Sequence, residues 1–404
     1  MIFKIAWLNI WRSPLRSFVV LGSVMIGVWA LISLLSFSFG MVKSYVNNAI
    51  RIQTSHIQLH NPAFKDDQEV KFFIENPTDQ LAKIREIEYV QAATARSVVN
   101  GMLATTRGTR GVAIRGVVPE TETTVTKFTD KITEGSYFEP DKKNQILISE
   151  RLAEKLKLKL RKKVVLQFQD LNGEIVAGAF RIVGLFNTEN TPFDEANIFV
   201  VQNDVNRLLG NENIAHEIAI YLNDPADLEP AQAALKAAFP NELVENYREI
   251  SPDINLYESQ IGVSATIFIV IFMLALIFGI INTMLMAVLE RTKELGMLMS
   301  IGMNKPRVFG MVVFETVLLG FIGAPIGLFF GWLTVQHFTT AGLDLSAFAG
   351  GMEQFGMSTI VYPDLDTGIY IQLGLSVVVT AILASLYPAY KAIKLRPVEA
   401  IRKI

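Results

Sequence analysis

Residues 17–42 read SFVVLGSVMIGVWALISLLSFSFGMV and contain no Asp, Glu, Lys, Arg or His. A helix needs roughly 20 predominantly apolar residues to cross a hydrocarbon core about 30 Å thick, and this stretch is longer than that. Residues 259–289, 316–336 and 367–390 are also free of these residue types and long enough to span. The sequence therefore predicts four transmembrane helices in a chain of 404 residues that is 50% hydrophobic and 19% charged.

Lysine and arginine are distributed unevenly among the segments that flank the predicted helices. Three precede the first helix, four lie between the second and third, and five follow the fourth, whereas residues 337–366 have none. By the positive-inside rule both termini and the middle loop are expected in the cytoplasm, and residues 43–258 and 337–366 on the outer side of the membrane. The basic residues are Lys4, Arg12, Arg16, Arg291, Lys293, Lys305, Arg307, Lys391, Lys394, Arg396, Arg402 and Lys403.

These observations predict an α-helical membrane protein with a large α+β periplasmic domain inserted between transmembrane helices 1 and 2. The first apolar stretch lacks an obvious signal-peptidase site, so we expect an uncleaved anchor. Trp7 and Trp11 suit a short interfacial helix before it, and a basic flank that only orients helix 1 is an equal alternative. The expected segments are an N-terminal helix (1–16), helix 1 (17–42), the periplasmic domain with stalk ends (43–258), helix 2 (259–289), a cytoplasmic loop (290–307), helix 3 (308–336), a periplasmic loop (337–366), helix 4 (367–390) and a cytoplasmic tail (391–404).

The inserted segment has the composition and periodicity of a soluble domain. Helical spacing of apolar residues predicts helices over 79–89 and 224–239, and alternation with glycine-containing turns predicts strands within 98–118. We expect two α/β lobes that divide near Asn144 or Phe193. Most of the chain's charges lie in this domain with a slight acidic excess, which argues against a nucleic-acid partner.

The sequence contains no recognisable catalytic motif. No G-x-x-x-x-G-K-[ST] segment is present, so the chain carries no P-loop for nucleotide. There is no cysteine, which excludes thiolate catalysis and cysteine metal sites, and no nucleophile-elbow sequence. His56 and His60 are separated by roughly 13 Å along a strand, which argues against a metal site. We therefore expect a non-catalytic chain that binds no cofactor or metal of its own.

Two features of helix 3 favour close packing and charge pairing. Gly323, Gly327 and Gly331 recur at four-residue intervals with Gly320 nearby, and small residues on one face let another helix approach closely. This face fits packing inside the bundle or at a subunit interface. Glu315 is expected near the cytoplasmic interface, where it pairs with the basic loop or, in a second interpretation, couples to protons.

The loop between helices 2 and 3 combines charge with helical periodicity. Residues 288–309 read VLERTKELGMLMSIGMNKPRVF. One predicted face carries Glu290, Lys293, Glu294 and Met297, and an apolar stripe carries Leu295, Leu298, Met299 and Ile301, before stop signals at Gly302, Asn304 and Pro306. Such a short amphipathic helix rests on lipid, inserts into a partner's groove, or is a solvated turn.

Both membrane ends of the sequence resemble a known family. The segment NTMLMAVLERTKELGMLMSIGMNKPRVFGMVVFETVLLGFIGAPIGLFFG (282–331) and the ending YPAYKAIKLRPVEAIRKI (387–404) are similar to the FtsX-like permease domain of the MacB, lipoprotein-releasing (Lol) and FtsX class of ABC transporters. The ending has Pro388, Ala389, Ala392, Pro397 and Ala400 at the family's positions. The insert resembles the periplasmic domain of the class, except that Lys157 and Arg161 stand where glycines are expected, which puts the local turn in doubt.

The resemblance implies a mechanism that depends on a second protein. In this class the loop between helices 2 and 3 is a coupling helix that docks on a cytoplasmic ABC ATPase dimer, which binds ATP and Mg²⁺. Two permeases, either two copies of one chain or a chain and its paralogue, complete the complex. ATP-driven closure is transmitted through the helices to the periplasmic domains. The implied ATPase-contact residues here are Glu290, Arg291, Glu294, Leu295, Gly296, Leu298 and Gly302.

The arrangement of segments is most similar to the Lol permeases, which release lipoproteins from the inner membrane. A MacB-type exporter carries its ATPase before helix 1, where this sequence has residues 1–16, and FtsX-type regulators have a smaller outer domain. We therefore expect a lipoprotein-releasing permease of a bacterial inner membrane, with lipid, a lipoprotein or a periplasmic acceptor protein as further partners. The alternatives are a MacB-like exporter of peptides or small amphiphiles with a separate ATPase, and a regulator that moves no substrate but signals to a periplasmic partner.

Overall fold

The computed structural model describes residues 6–8, 11–12, 14–140 and 142–394, without the Arg16 side chain. The chain forms two compact units, one of residues 1–42, 259–343 and 361–404 and the other of residues 43–258 and 344–360. We refer to them as the helical unit and the sheet unit. Lys4, Arg396, Pro397, Ala400, Arg402 and Lys403, which the sequence analysis singled out, lie outside the described residues.

The helices and strands have the following bounds. The helices are α1 (Pro14–Ala49), α2 (Pro77–Arg85), α3 (Pro119–Thr126), α4 (Glu150–Leu156), α5 (Thr191–Ala196), α6 (Gln202–Leu209), α7 (Leu228–Ala238), α8 (Tyr247–Ile250), α9 (Pro252–Glu290), α10 (Thr292–Ser300), α11 (Lys305–Ala341), α12 (Ala349–Gln354) and α13 (Thr367–Ile393). The strands are β1 (Ile57–His60), β2 (Ile74–Glu75), β3 (Val90–Thr105), β4 (Gly108–Val117), β5 (Ile132–Gly135), β6 (Gln145–Ser149), β7 (Lys163–Gln169), β8 (Ile175–Phe186), β9 (Asn197–Val201), β10 (Ile214–Ala215), β11 (Glu217–Leu222), β12 (Leu243–Asn246), β13 (Leu343–Asp344) and β14 (Ile360–Val361).

Four helices, α1, α9, α11 and α13, are long and apolar enough to cross a membrane. The fold class predicted from the sequence is confirmed: the sheet unit is inserted between the first and second of these helices. All four helices are longer than the uncharged stretches that predicted them. α1 continues through Ala49 into a π-helical segment, Ile50–Thr54, and α9 begins at Pro252. The 39 residues of α9 span roughly 58 Å at 1.5 Å per residue, well beyond the hydrocarbon core.

The long helices pack around one apolar core in the helical unit. α1 contributes Val24, Val28 and Ile32, each at most 1% exposed. Their four-residue spacing puts these side chains on one face of the helix. α13 contributes Leu373 and Val377, also fully buried, to the same core. The remaining faces of these helices expose large apolar side chains, as expected for surfaces in contact with lipid.

The sheet unit is built on a ten-stranded mixed sheet. Its strand order is β12-β1-β11-β3-β4-β9-β6-β8-β5, and β7 pairs with β3 and β8. The β4–β9 and β6–β8 pairs are parallel, while the other pairs are antiparallel. The long strand β3 pairs with β11 through Val90–Arg96 and with β7 through Gly101–Ala104. β3 therefore joins the strands beside β11 and the strands beside β7 into one sheet.

The expected lobe boundary near Asn144 or Phe193 is wrong. Strand β5 precedes Asn144 but pairs with β8, which follows it. Strand β9 follows Phe193 but pairs with β4, which precedes it. Strands from both sides of each position alternate in the sheet, so the domain does not divide there in sequence order. Short-range periodicity identifies strands but carries no information about which distant strands pair.

The local structure agrees with the sequence pattern in most places. The helices expected over 79–89 and 224–239 correspond to α2 and α7. The strands expected within 98–118 form the β3–β4 hairpin, in which Thr105 pairs with Gly108. Lys157 and Arg161 adopt positive φ angles of 51° and 67°. Both residues therefore adopt the left-handed backbone conformation that glycine was expected to provide.

Candidate functional site

The segment between α9 and α11 folds as the short helix α10, bounded by two breaks in helical geometry. Arg291 has φ −93° and ψ 18° and separates α9 from α10. At the other end Gly302 has φ +105°. The Gly302 and Met303 amides donate to the carbonyls of Met299 and Leu298 at 3.2 and 3.0 Å. This is the pattern of a Schellman motif, which requires a left-handed residue at that position.

The inner face of α10 belongs to the core of the helical unit. Leu295 is 3% exposed and packs in the same core as the long helices, and Gly296 is buried beside it. Leu298 and Met299 are partly buried against that core. Burying these apolar side chains holds α10 onto the bundle.

Two ion pairs connect α10 and its N-terminal boundary to neighbouring helices. Arg291 Nη1 donates to Glu315 Oε1 of α11 at 3.0 Å, and the two side chains are 13% and 10% exposed. Arg12, which precedes α1, places Nη2 2.9 Å from Glu294 Oε1, and these side chains are 65% and 43% exposed. The second pair is solvent-screened and contributes less than about 1 kcal/mol. Arg291–Glu315 is therefore the stronger electrostatic connection.

A cavity of about 320 Å³ lies between α9, α10 and α11. Both ion pairs border it, and the rest of its wall is apolar. Its lining residues are Arg12, Met284, Ala287, Val288, Arg291, Glu294, Leu295, Met297, Leu298, Met311, Val312 and Glu315.

The outer face of α10 exposes apolar side chains that sequence reasoning did not group together. Met297 is 55% exposed and Ile301 is 79% exposed, four residues apart. Glu290, at the end of α9, and Lys293 are also exposed. The sequence analysis placed Met297 on the charged face and Ile301 on the stripe with Leu295, because it could not tell which stripe packs on the bundle. The four-residue spacing of Met297 and Ile301 was the available signal.

The predicted ATPase-contact residues therefore divide between two faces. Glu290 and Gly302 are exposed, and Glu294 and Leu298 are partly buried. Arg291 is engaged with Glu315. Leu295 and Gly296 pack inward, so their side of α10 cannot touch another protein while the helix stays on the bundle.

The four glycines of α11 allow close approach of other helices within the same unit. Three face α1 and one faces α13, so this small-residue face is occupied inside the bundle. An added Cβ would lie 3.1 Å from Val24 Cβ at Gly323, 2.7 Å from the Met25 carbonyl oxygen at Gly327, 2.6 Å from Ile32 Cδ1 at Gly331 and 3.0 Å from Ala381 Cβ at Gly320.

Two family models match the chain. The MacB-like periplasmic core domain matches residues 17–238 and the FtsX-like permease C-terminal domain matches residues 266–397. The first match begins in α1 and covers most of the sheet unit. The second covers most of α9 together with α10, α11 and α13.

Three curated proteins illustrate the similarity. An uncharacterised ABC transporter permease of Methanocaldococcus jannaschii is 26% identical over 55% of this chain and 55% of its own length. The lipoprotein-releasing system transmembrane protein LolC of Haemophilus influenzae is 22% identical over 78% of each chain. The macrolide export ATP-binding/permease protein MacB of a Shewanella species is 22% identical over 99% of this chain and 60% of its own length. The chain thus spans less than two thirds of the first and third of these relatives.

Proposed function

Because this chain belongs to the FtsX/MacB class of ABC-transporter permeases, we propose that it is a membrane subunit driven by ATP hydrolysis in a separate cytoplasmic ABC ATPase dimer. No P-loop sequence occurs in these 404 residues, which supports a partner chain for nucleotide chemistry. ATP and Mg²⁺ bind in that partner. Both termini and α10 face the cytoplasm and the sheet unit faces outward, in keeping with the distribution of Lys and Arg.

The observation that carries this proposal is the two-sided packing of α10. Its inner face is anchored by Leu295 and by the Arg291–Glu315 pair, while Met297 and Ile301 face outward. An amphipathic helix with exposed apolar residues four apart suits a groove on a partner protein. We therefore revise the docking surface to Glu290, Lys293, Met297, Ile301 and Gly302. The other predicted ATPase-contact residues, Leu295 and Gly296 above all, transmit force from α10 to the bundle.

Transmission of that force follows from the helices that α10 joins. A push on α10 reaches α11 through a buried ion pair and the core through Leu295. α9 leads directly into Arg291 at one end and begins at Pro252 at the other. Movement of α9 along its length is the simplest route by which ATPase closure reaches the outer domain. A second permease, identical or paralogous, completes the transporter.

For the cargo we propose lipoproteins released from the inner membrane, delivered to a periplasmic acceptor. The similarity to LolC over 78% of both chains supports this assignment. Export of peptides or small amphiphiles, with a separate ATPase, is the second candidate, because similarity to MacB extends over 99% of the chain. Both candidates require the same docking helix and differ only in what the outer domain releases.

Co-purification from native membranes tests the proposal. The tagged full chain is extracted in mild detergent and its partners are identified by mass spectrometry. We expect a P-loop ATPase in stoichiometric amount and a second permease chain or copy. Recovery of the folded chain without any ATPase, after cross-linking before extraction, would contradict the proposal.

The same preparation distinguishes the two cargoes. Acylated peptides that leave the complex on addition of ATP and Mg²⁺ are expected for lipoprotein release. ATP-dependent loss of non-acylated peptides or amphiphiles, with no acylated species, would favour the exporter. ATPase stimulation by a soluble periplasmic protein without any released molecule would instead support a regulator.

A further inference from the structure

The sheet unit contains a polar cavity of about 400 Å³ that the proposed transport function does not use. Its floor is one face of the sheet across β12, β1, β11, β3 and β4. Strand register puts Glu245 opposite Gln58, His60 opposite Glu217 and Val98 opposite Arg115, and directly opposed residues point to the same face. Its roof includes Thr54, Lys65 and Ser251. This volume is within the range of small-molecule sites.

Arg115 lines the cavity and, among the described residues, has one buried donor atom without a hydrogen-bond partner. Its side chain is 14% exposed, and Nε donates to Asn197 Oδ1 at 2.9 Å. Nη1 is buried and has no hydrogen-bond partner among the described residues, since the nearest carboxylate oxygen, Glu217 Oε2, is 3.7 Å away. Buried polar groups in native proteins are nearly always hydrogen-bonded to protein, water or ligand. An oxygen atom in the cavity would complete the coordination of this guanidinium.

The charges that line the cavity are already balanced. Lys65 forms an ion pair with Glu245, and Arg115 faces Glu217, which also accepts from Arg96 Nη1 at 2.5 Å. Desolvation by burial would raise the pKa of Glu217, but Arg96 and Arg115 outweigh it and hold that pKa below its usual value. The Glu217 carboxylate therefore stays ionised and paired with Arg96. A ligand with a net charge would leave one charge uncompensated in a poorly solvated space.

Four of the uncharged residues that line the cavity carry side-chain amides, and Thr54 and Ser251 add hydroxyl groups. Gln53, Gln58, Gln68 and Asn100 border the cavity, and the Asn100 amide donates to Gln68 Oε1 at 3.1 Å. Each side-chain amide both donates and accepts. Hydroxyl groups do the same, so a ligand that presents several hydroxyls matches such a wall.

From these contacts we propose that the cavity binds a neutral polyhydroxylated ligand about the size of one sugar ring, with Arg115 Nη1 donating to a ligand oxygen. The ligand contacts the amides of Gln58, Gln68 and Asn100. This site is independent of the transport proposal, because its residues all belong to the sheet unit and none lies in α10. It adds a ligand-binding site to the sheet unit.

Ligand-observed saturation-transfer NMR on the full chain in nanodiscs tests the site. The probes are D-glucose and N-acetyl-D-glucosamine at millimolar concentrations, with acetate and methylammonium as charged comparisons. We expect transfer to at least one sugar and none to either ion. Ala113→Leu fills the cavity wall, and Arg115→Lys removes the planar fork, so each is expected to weaken sugar binding about tenfold or more. Ala177→Leu, on an exposed position of β8, is the matched control and keeps wild-type binding.

Three results would overturn the proposal. Absence of transfer to both sugars in the wild type would mean that the cavity holds water only. Stronger transfer to acetate or methylammonium than to the sugars would mean a site for charged ligands. Unchanged sugar binding in both folded variants would place binding elsewhere. Thermal unfolding of each variant verifies that it is folded. If Ala113→Leu does not fold, sugar binding by Arg115→Lys alone tests the proposal.

Discussion

Arg291 at the boundary of α10 donates a hydrogen bond from Nη1 to Glu315 Oε1 in α11 at 3.0 Å. The two side chains are 13% and 10% exposed, so both are largely buried. The pair links the end of α9 to α11 across the short helix. This contact gives a structural role to Glu315, the only acidic residue of α11, and to Arg291, the first basic residue of the loop.

Loss of this pair is expected to destabilise the helical unit. Arg291→Met removes the guanidinium that neutralises the Glu315 carboxylate, and loss of one partner of a buried pair costs about 3 kcal/mol. Thermal unfolding of the full chain in nanodiscs measures the change. Arg291→Met combined with Glu315→Met should recover part of the loss, because no buried charge then remains. A double variant that loses as much as the two single variants together would show that the residues do not interact.

Substitution of Gly327 in α11 by alanine is expected to destabilise the helical unit. Gly327→Ala would place Cβ 2.7 Å from the Met25 carbonyl oxygen in α1, and backbone cannot move aside as a flexible side chain can. Overpacking of this kind costs about 1–3 kcal/mol. Gly310→Ala in the same helix meets nothing within 4 Å and should be neutral or stabilising by up to about 1 kcal/mol. Equal melting temperatures for both variants would contradict close α1–α11 packing.

The outer face of α10 is expected to control ATPase association. Met297→Glu with Ile301→Glu places two carboxylates where we propose an apolar contact, and should reduce ATPase recovery at least about tenfold, since burying an unpaired charge is costly. Membrane insertion should be unchanged and the melting temperature should change little, because both side chains are more than half exposed, although Met297 also lines the cavity beside α10. Met102→Glu, at an exposed position of the sheet unit, is the control. Full ATPase recovery with the double variant would exclude this face as the docking surface.

Lys157→Gly is expected to stabilise the sheet unit. Lys157 is the left-handed residue after α4, with φ 51° and ψ 43°. A side chain in this region costs about 1–2 kcal/mol, and the greater flexibility of unfolded glycine offsets part of that gain. We expect a net gain of about 0.5–1 kcal/mol in thermal unfolding. Lys159→Gly, at a residue without positive φ, should not stabilise, and a similar gain there would refute the conformational explanation.

Asp194 is expected to make the sheet unit less stable as pH rises. Burial raises the pKa of its carboxyl group from 3.8 to about 6, although hydrogen bonds from the Thr188 amide and hydroxyl oppose the shift. Between about pH 4 and about pH 6 the folded chain binds this proton and the unfolded chain does not. Stability from this group is therefore present below pH 4 and lost as pH rises through 6, by about 3 kcal/mol at most.

Comparison with Asp194→Asn isolates this contribution. The amide cannot ionise, so the wild type should lose stability relative to the variant as pH rises from about 4 to about 7. His56 and His216 act in the opposite direction, because burial lowers their pKa values to about 4, and both residues are present in each protein. Asp130→Asn, at an exposed carboxylate, should follow the wild-type curve. A constant difference between wild type and Asp194→Asn would refute the prediction.

Several features followed from the sequence because they depend on neighbouring residues along the chain. Four uncharged stretches identified α1, α9, α11 and α13, since the length of an apolar helix must match the bilayer. The apolar periodicity after Val288 identified α10, and glycine at 302 identified its end. The left-handed conformation of Lys157 did not follow from the sequence in the same way, because glycine indicates a positive φ angle and lysine does not.

Other features depended on partners far apart in the chain. Only the tertiary structure showed that Leu295, rather than Met297, faces the bundle, because both residues satisfy helical periodicity and the choice is set by what α10 packs against. Only strand pairing brought Arg115 to the side of Glu217 and Gln58. The sequence by itself determined which segments enter the membrane, because the solvation free energy of each segment is local. The structure decided which faces meet, because packing energy depends on residues that the chain order keeps apart.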